Sequence, residues 1–348
     1  MRRPARTVDA MAHLTPYRPL DITVPFPELA SWARTATRLH PQPGAPAAGE
    51  SSVGGPLLWP AGEAWPVCEE HGPGQRGIAP ERVRRHRRLL DEVRTRPRAA
   101  DGGYGYTAAE RAEIDELTRT GHQPDRHDGG PLPLLALAQL YVRDVPDLAL
   151  FAPPGTGLLQ VLWCPFYEHR YDGTSSHFGP STRLVWRRAG DVADPLRVQP
   201  EPGVVERTYY LPEPCVVHPE QVTDYPYLDY LPTGLGARID AWEDELVARM
   251  GDLAPGYQYD LSLAPGWKVG GWDSWHKTDL VRVFCDACGT EMRVLLTIDS
   301  YESCEPNGSW EPYTLPKGTT GIQVGRDGEY RAFVCPADPA HPHRMSMQ

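Results

Sequence analysis

Near the C-terminal end, four residues have the types and spacing to hold a metal ion. The segment Cys285-Asp286-Ala287-Cys288-Gly289 is a C-x2-C-G knuckle, in which the bend places two sulfurs around one point and Gly relieves the reversing backbone. A third sulfur, Cys335, follows the segment GIQVG-RDG-EYRAFV, which reads as a hairpin turning at Asp327-Gly328. Thiolates bind Zn2+ at about 2.3 Å in a tetrahedron, so one more ligand is needed. Asp338 stands at the usual +3 spacing from Cys335, whereas His341 and His343 are chemically better ligands. The preferred order is His341, then His343, then Asp338. Cys288 and Cys335 are separated by 46 residues, more than a zinc ribbon normally has, and three unrelated buried thiols are the competing reading. A closed Cys285, Cys288, Cys335, His341 set implies a structural Zn2+, because no coordination position remains for substrate. Without the fourth ligand, water could fill the gap and hydrolysis would become available.

The remaining cysteines, Cys68, Cys164, Cys215 and Cys304, are single and lie in or beside apolar segments, as expected of buried core thiols. Cys68 and His71 share a C-x2-H spacing, but no two further ligands are in view for them. Seven cysteines is an odd number, and the N-terminus has no apolar h-region of a signal peptide, so the thiols are expected reduced, buried or metal-bound. A second candidate site is the group Lys268, Trp272, Trp275 and His276. Lys268 is one of three lysines, and burial could lower its pKa for amine chemistry or leave it to contact an anion or carbonyl. His276 could serve as a base or a donor. The sequence holds no G-x-S-x-G, H-E-x-x-H, G-x4-G-K-[ST] or Rossmann glycine fingerprint, and nothing nominates a nucleophile.

The elements that must position these residues are short. With 38 Pro and 33 Gly among 348 residues, long helices cannot dominate. Residues 131–145, 158–167, 182–188, 204–211 and 281–284 read as strands. Residues 237–250 read as a helix stopped by Gly251, with Ile239, Trp242, Leu246 and Met250 on one face. Residues 1–50 are expected to be a loose leader and flexible linker, low-complexity over 41–52. Residues 51–348 are expected to form a single domain, with an Arg-rich, partly helical insert at 72–130 and a zinc-binding region at 281–348. In the insert, Pro80 begins one helix, and Thr107 with Glu110 forms a capping box for a second that stops at Gly121. Nine arginines against three acidic residues leave residues 76–98 at net +6. That cluster is either an electrostatic contact or, more simply, a solvated helix face. Val53-Gly54-Gly55 with Trp59 and Val269-Gly270-Gly271 with Trp275 both read V-G-G-x3-W, through either a duplicated unit or chance recurrence.

Formal charge is −11, which argues against nucleic acid as a partner. No run of about 18 apolar residues is present, so no membrane span is expected and the reading is a soluble, cytoplasmic protein. GGPLLWPAGEAWP (54–66), PLPLLALAQLYVRDV (131–145), GTGLLQVLWCPF (155–166), WKVGGWDSW (267–275) and FVCPADPAHP (333–342) together resemble the YwqG-like (DUF1963) family, of actinobacterial type. The resemblance covers roughly residues 50–345 and implies a mainly β, α+β fold: a β roll with two related halves, few helices and, here, a C-terminal zinc-knuckle hairpin. It implies no established activity. The chain departs from the family in its long insert, and in having His276-Lys277 after Trp275 where Gln is common. The function expected is a zinc-stabilised binding or adaptor protein with a protein partner, of immunity or regulatory type. The alternative is an enzyme of a specialised bacterial pathway, acting on a small molecule in a pocket near Lys268, Trp275 and His276.

Overall fold

The apolar runs become central strands. Leu135–Tyr141 and Leu158–Cys164 pair antiparallel from Leu135↔Trp163 to Tyr141↔Leu158, and every residue of the second is buried. A strand covered on both faces needs no alternation of polar side chains. The computed structural model describes residues 14–71, 76–98, 102–121, 125–126, 130–171, 175–303, 309–313 and 320–348.

Two six-stranded sheets dominate the described residues. In the first sheet the order is Ser181–Arg187, Leu158–Cys164, Leu135–Tyr141, Ser52–Val53, Cys215–Val216, Gln42–Pro43. The second runs Arg344–Met347, Glu329–Val334, Arg293–Asp299, Lys268–Gly270, Arg34–Arg38, Glu220–Asp224. Each sheet thus holds a four-strand meander that begins at a V-G-G segment. Both meanders carry a bulge in the same place, at Ala136/Ala138 and at Val294/Leu296. The fifth strand in each sheet comes from the other half of the chain. Arg34–Arg38 pairs with Glu220–Asp224 and Lys268–Gly270, while Cys215–Val216 pairs with Gln42–Pro43 and Ser52–Val53. The recurrence of V-G-G-x3-W therefore marks two related halves that have exchanged a strand. Positive φ is required at Gly54 (62°) and Gly271 (72°), and a side chain at Gly271 would collide with Asp224.

The core lies between the sheets. Its largest cluster takes Leu135, Leu137, Val161 and Trp163 from the first sheet and Val269, Leu296, Ile298 and Tyr330 from the second. Trp163 and Tyr330 meet edge to face at 6.2 Å, a geometry aromatic rings favour. The fold is mainly β with α+β character, as expected. No helix among the described residues is long and apolar enough to cross a membrane.

Several expectations are corrected. Residues 1–13 lie outside the described residues, but the rest of the first 50 is not a linker. Leu14 and Thr15 donate their amides to Glu220, Arg34–Arg38 sits inside a sheet, and Gln42–Pro43 and Ser52–Val53 are strands. Residues 204–211 form a single bridge, Ile78↔Val205, and a 3-10 turn at Thr208–Tyr210. Residues 281–284 contribute one bridge, Phe284↔Glu291, because the chain bends into the knuckle. The turn before Gly328 forms, with Asp327 at φ 57°, but Glu329–Val334 pairs with Arg293–Asp299 and Arg344–Met347. Residues 321–325 are not its hairpin partner.

Among the described residues three α-helices flank the sheets: α1 (Pro80–Arg94), α2 (Ala108–Gly121) and α3 (Thr233–Met250). The capping box at α2 is formed, with Thr107 N donating to Glu110 at 2.8 Å and Glu110 N to Thr107 Oγ1 at 3.2 Å. Several arginines of the insert are paired with carboxylates of the same molecule. Arg84 pairs with Glu201, Arg85 with Glu113, Arg88 with Glu81 and Arg96 with Glu110. Arg87 goes further, donating to Glu213, to the carbonyls of Leu211 and Thr208, and to that of Gly321. Arg87→Ala should lower the unfolding free energy by about 2 kcal/mol, because these acceptors lose a charged donor. Arg94→Ala breaks only an exposed pair with Asp91 and should cost less than about 0.5 kcal/mol. Denaturant titration of the two variants checks the contrast.

Candidate metal centre

The knuckle is a tight backbone reversal. Cys285 N donates to Thr290 O at 2.9 Å and Gly289 N to Cys285 O at 2.8 Å, and Gly289 takes φ 69°. On the far side, Asp338 shapes a second turn by accepting Ala340 N at Oδ1 and His341 N at its carbonyl. Between Cys288 and Cys335 lie two neighbouring antiparallel strands, Arg293–Asp299 and Glu329–Val334, and the chain that connects them. Arg293 opposes Val334, so a chain leaving the knuckle travels up one strand and returns down the next, arriving at Cys335 beside its starting point.

Cys285, Cys288, Cys335 and His341 converge, with ligand atoms all within 4.8 Å of one another. A tetrahedral ion with metal–sulfur bonds of ~2.3 Å and metal–nitrogen bonds of ~2.0 Å needs edges of about 3.8 Å between sulfurs and about 3.5 Å between sulfur and nitrogen. Cys288 Sγ and Cys335 Sγ are 3.5 Å apart, and His341 Nδ1 lies 3.5 Å from Cys285 Sγ and 3.4 Å from Cys335 Sγ. The set can hold a metal ion. His343 is turned away, its Nε2 2.9 Å from Thr182 O. Asp338 faces the other ring nitrogen of His341 at 3.9 Å, the place of a group that orients a ligand. Hydrogen bonds from Thr290 hold the Cys288 thiol down to about 6, which favours the thiolate that a metal requires. Trp275, Met292, Val294 and Phe333 pack around Cys285 and Cys335.

The second candidate group is built into the interior. Lys268, 2% exposed, places Nζ 2.6 Å from Asp224 Oδ2, and Asp224 also accepts the amides of Ala264 and Trp272. Trp272 lies beneath the Arg34 guanidinium at 3.3 Å and donates its indole N–H to Trp32 O. Trp275 lies beneath Arg331 at 3.9 Å. His276 Nδ1 is 2.6 Å from Ser274 Oγ, and burial lowers its pKa to about 4. Lys268 Nζ, the Trp272 indole N–H and His276 Nδ1 are thus already paired within the protein. Cys68, Cys164 and Cys215 are buried as expected, and Cys304 lies outside the described residues. Signals the sequence did not show are the buried charges of the same sheet: Arg38, donating to Pro265, Trp310 and Glu302 carbonyls, together with Arg331 and Glu329. No protein-family model matches the chain, and no curated protein is significantly similar to it.

Two predictions arise from these groups. Cys288 is the exposed ligand, so Cys288→Ser should fold yet lose about one equivalent of bound metal per chain; elemental analysis of the untagged protein measures it. Burial, with Asp299 nearby, pushes Glu329 from 4.5 up to about 8. The folded protein therefore keeps a proton that the unfolded chain releases. Its stabilising contribution is full below about pH 4.5 and is lost as pH rises through about 8. Glu329→Gln should remove on the order of 2 kcal/mol of that pH dependence between pH 5 and 9, read from denaturant midpoints at each pH.

Proposed function

We propose that the protein is a zinc-stabilised binding protein of YwqG-like type whose ligand is another protein, in an immunity or regulatory role. The observation that carries this reading is the closed four-ligand cluster and what it holds out to solvent. Directly before the knuckle, Val281 is 56% exposed and Phe284 49% exposed, on a segment tied back by Arg282 to Glu291. Apolar side chains on a metal-pinned turn form a rigid, pre-organised contact, which lowers the entropy lost on association. Three thiolates and an imidazole in a tetrahedron are the donor set of Zn2+, which brings no redox chemistry and has no open position here. The internal pairing of the Arg-rich insert and the net charge of −11 disfavour nucleic acid.

A second reading has a specific observation behind it. A cavity of about 880 Å3 lies beside Trp59, Trp65, Glu69, Glu70 and Arg183, a volume suited to a small molecule. An enzyme of a specialised bacterial pathway would use this space, not the interior around Lys268, Trp275 and His276.

Native purification followed by native mass spectrometry should return a stoichiometric protein partner. The Val281→Asp/Phe284→Asp variant should lose that partner while keeping its metal content and unfolding midpoint. Retention of a small molecule with no protein partner would instead favour the enzyme, and equal retention of the partner by the double variant would remove the knuckle segment from the interface.

A further inference from the structure

The two halves of the chain are related strand by strand, and the metal-binding knuckle has a counterpart. In the C-terminal half, two ligands precede the meander strand Arg293–Asp299, the third follows Glu329–Val334, and the fourth lies before Arg344–Met347. The equivalent places in the N-terminal half are the segment before Leu135–Tyr141, the end of Leu158–Cys164, and the stretch before Ser181–Arg187. Those places hold Cys68 with His71, Cys164, and His169. The backbone context matches as well. Phe284, directly before Cys285, bridges Glu291, and Val67, directly before Cys68, pairs with Pro133 at the corresponding point.

We propose that Cys68, His71, Cys164 and His169 form a second metal centre, a buried Cys2His2 site for a tetrahedral divalent ion of the Zn2+ class. Their ligand atoms also lie within 4.8 Å of one another. His71 Nε2 is 3.3 Å from His169 Nε2 and 3.1 Å from Cys164 Sγ. Two nitrogens bound at ~2.0–2.1 Å in a tetrahedron stand about 3.3 Å apart. His169 has its outer nitrogen occupied, with Nδ1 3.1 Å from Gly179 O. A carbonyl can only accept, so the Nδ1–H donates to it, and Nε2 is the ring atom turned toward His71 and Cys164. This backing of a ligand imidazole by a carbonyl is the arrangement that fixes tautomer and ring angle in metal sites.

Burial and charge are consistent with the difference between the two sets. Cys68, His71, Cys164 and His169 are 8%, 3%, 0% and 2% exposed. Two thiolates, two neutral imidazoles and a divalent cation sum to zero charge, which a desolvated interior tolerates. Three thiolates with one imidazole leave one negative charge, and that set includes the exposed Cys288. The second site goes beyond the function proposed above and does not depend on it. Its ion would pin the segment after Val67–Cys68 to the strand end at Cys164, and Cys68 and Cys164 lie in the wall of the 880 Å3 cavity.

The test uses the full chain, purified untagged without added metal. Elemental analysis should find about two equivalents of zinc per chain, and Cys288→Ser/Cys335→Ser should keep about one. Adding His169→Ala to that background should release the remainder. Because the triple variant could fail to fold, zinc-edge X-ray absorption on the unmodified protein supplies a second reading. Two sites give five sulfurs to three nitrogens in the mean first shell, and the knuckle alone gives three to one. One equivalent with the three-to-one shell overturns the second site, as does intact-mass detection of a Cys68–Cys164 disulfide. One equivalent that survives Cys288→Ser, with equal sulfur and nitrogen, upholds this site and removes the knuckle metal instead.

Discussion

The strand Arg34–Arg38 is hydrogen-bonded along both edges, to Glu220–Asp224 on one side and Lys268–Gly270 on the other, and the rest of the architecture depends on that placement. A central strand leaves no unpaired backbone groups, so removing it would expose two ladders at once. Its counterpart, Cys215–Val216, is held in the same way by the first sheet. Each sheet is therefore completed by the other half of the sequence. Neither half can bury its inner face alone, which is why the two halves form one core even though they are related to each other.

The same exchange explains the charged interior. Arg38 comes in on the exchanged strand and is fully buried, satisfied by three backbone carbonyls. Lys268 and Asp224 lie on the strands either side of it, paired at 2.6 Å. Buried charges of this kind are tolerated only where their partners are fixed, and they tie register to chemistry more than they add stability. A slip of the strand by one residue would carry Arg38 to the opposite face of the sheet.

Much of the fold was legible in the residues because it rests on local signals. The runs at 131–145 and 158–167 announce strands covered on both sides, C-x2-C-G announces the knuckle, and Thr107 with Glu110 announces a helix start. What stayed hidden was carried by long-range pairing. RTATR at 34–38 has no hydrophobic alternation, since its burial is achieved through polar contacts, so it resembled linker. The 281–284 run is β-like in composition yet bends away after one bridge. Cys164 and His169 gave no ligand signal because they lie about a hundred positions from Cys68 and His71 and are brought close only by the meander. The knuckle was visible because two of its ligands are three positions apart.

The Arg-rich insert acquires a different meaning from its position. In the C-terminal half only Gly289 and Thr290 separate Cys288 from the returning residue Glu291, whereas in the N-terminal half 60 residues separate His71 from Leu132. The ends of the long excursion are held together by the pairing of Cys68 with Leu132, whatever lies between them. Since closing a loop costs only logarithmically more as it lengthens, the chain can carry a long excursion at this turn at little extra entropic cost. The sheets keep their register around the excursion, and α1 is bound back onto them through Val83 in the main core and the hydrogen bonds of Arg87.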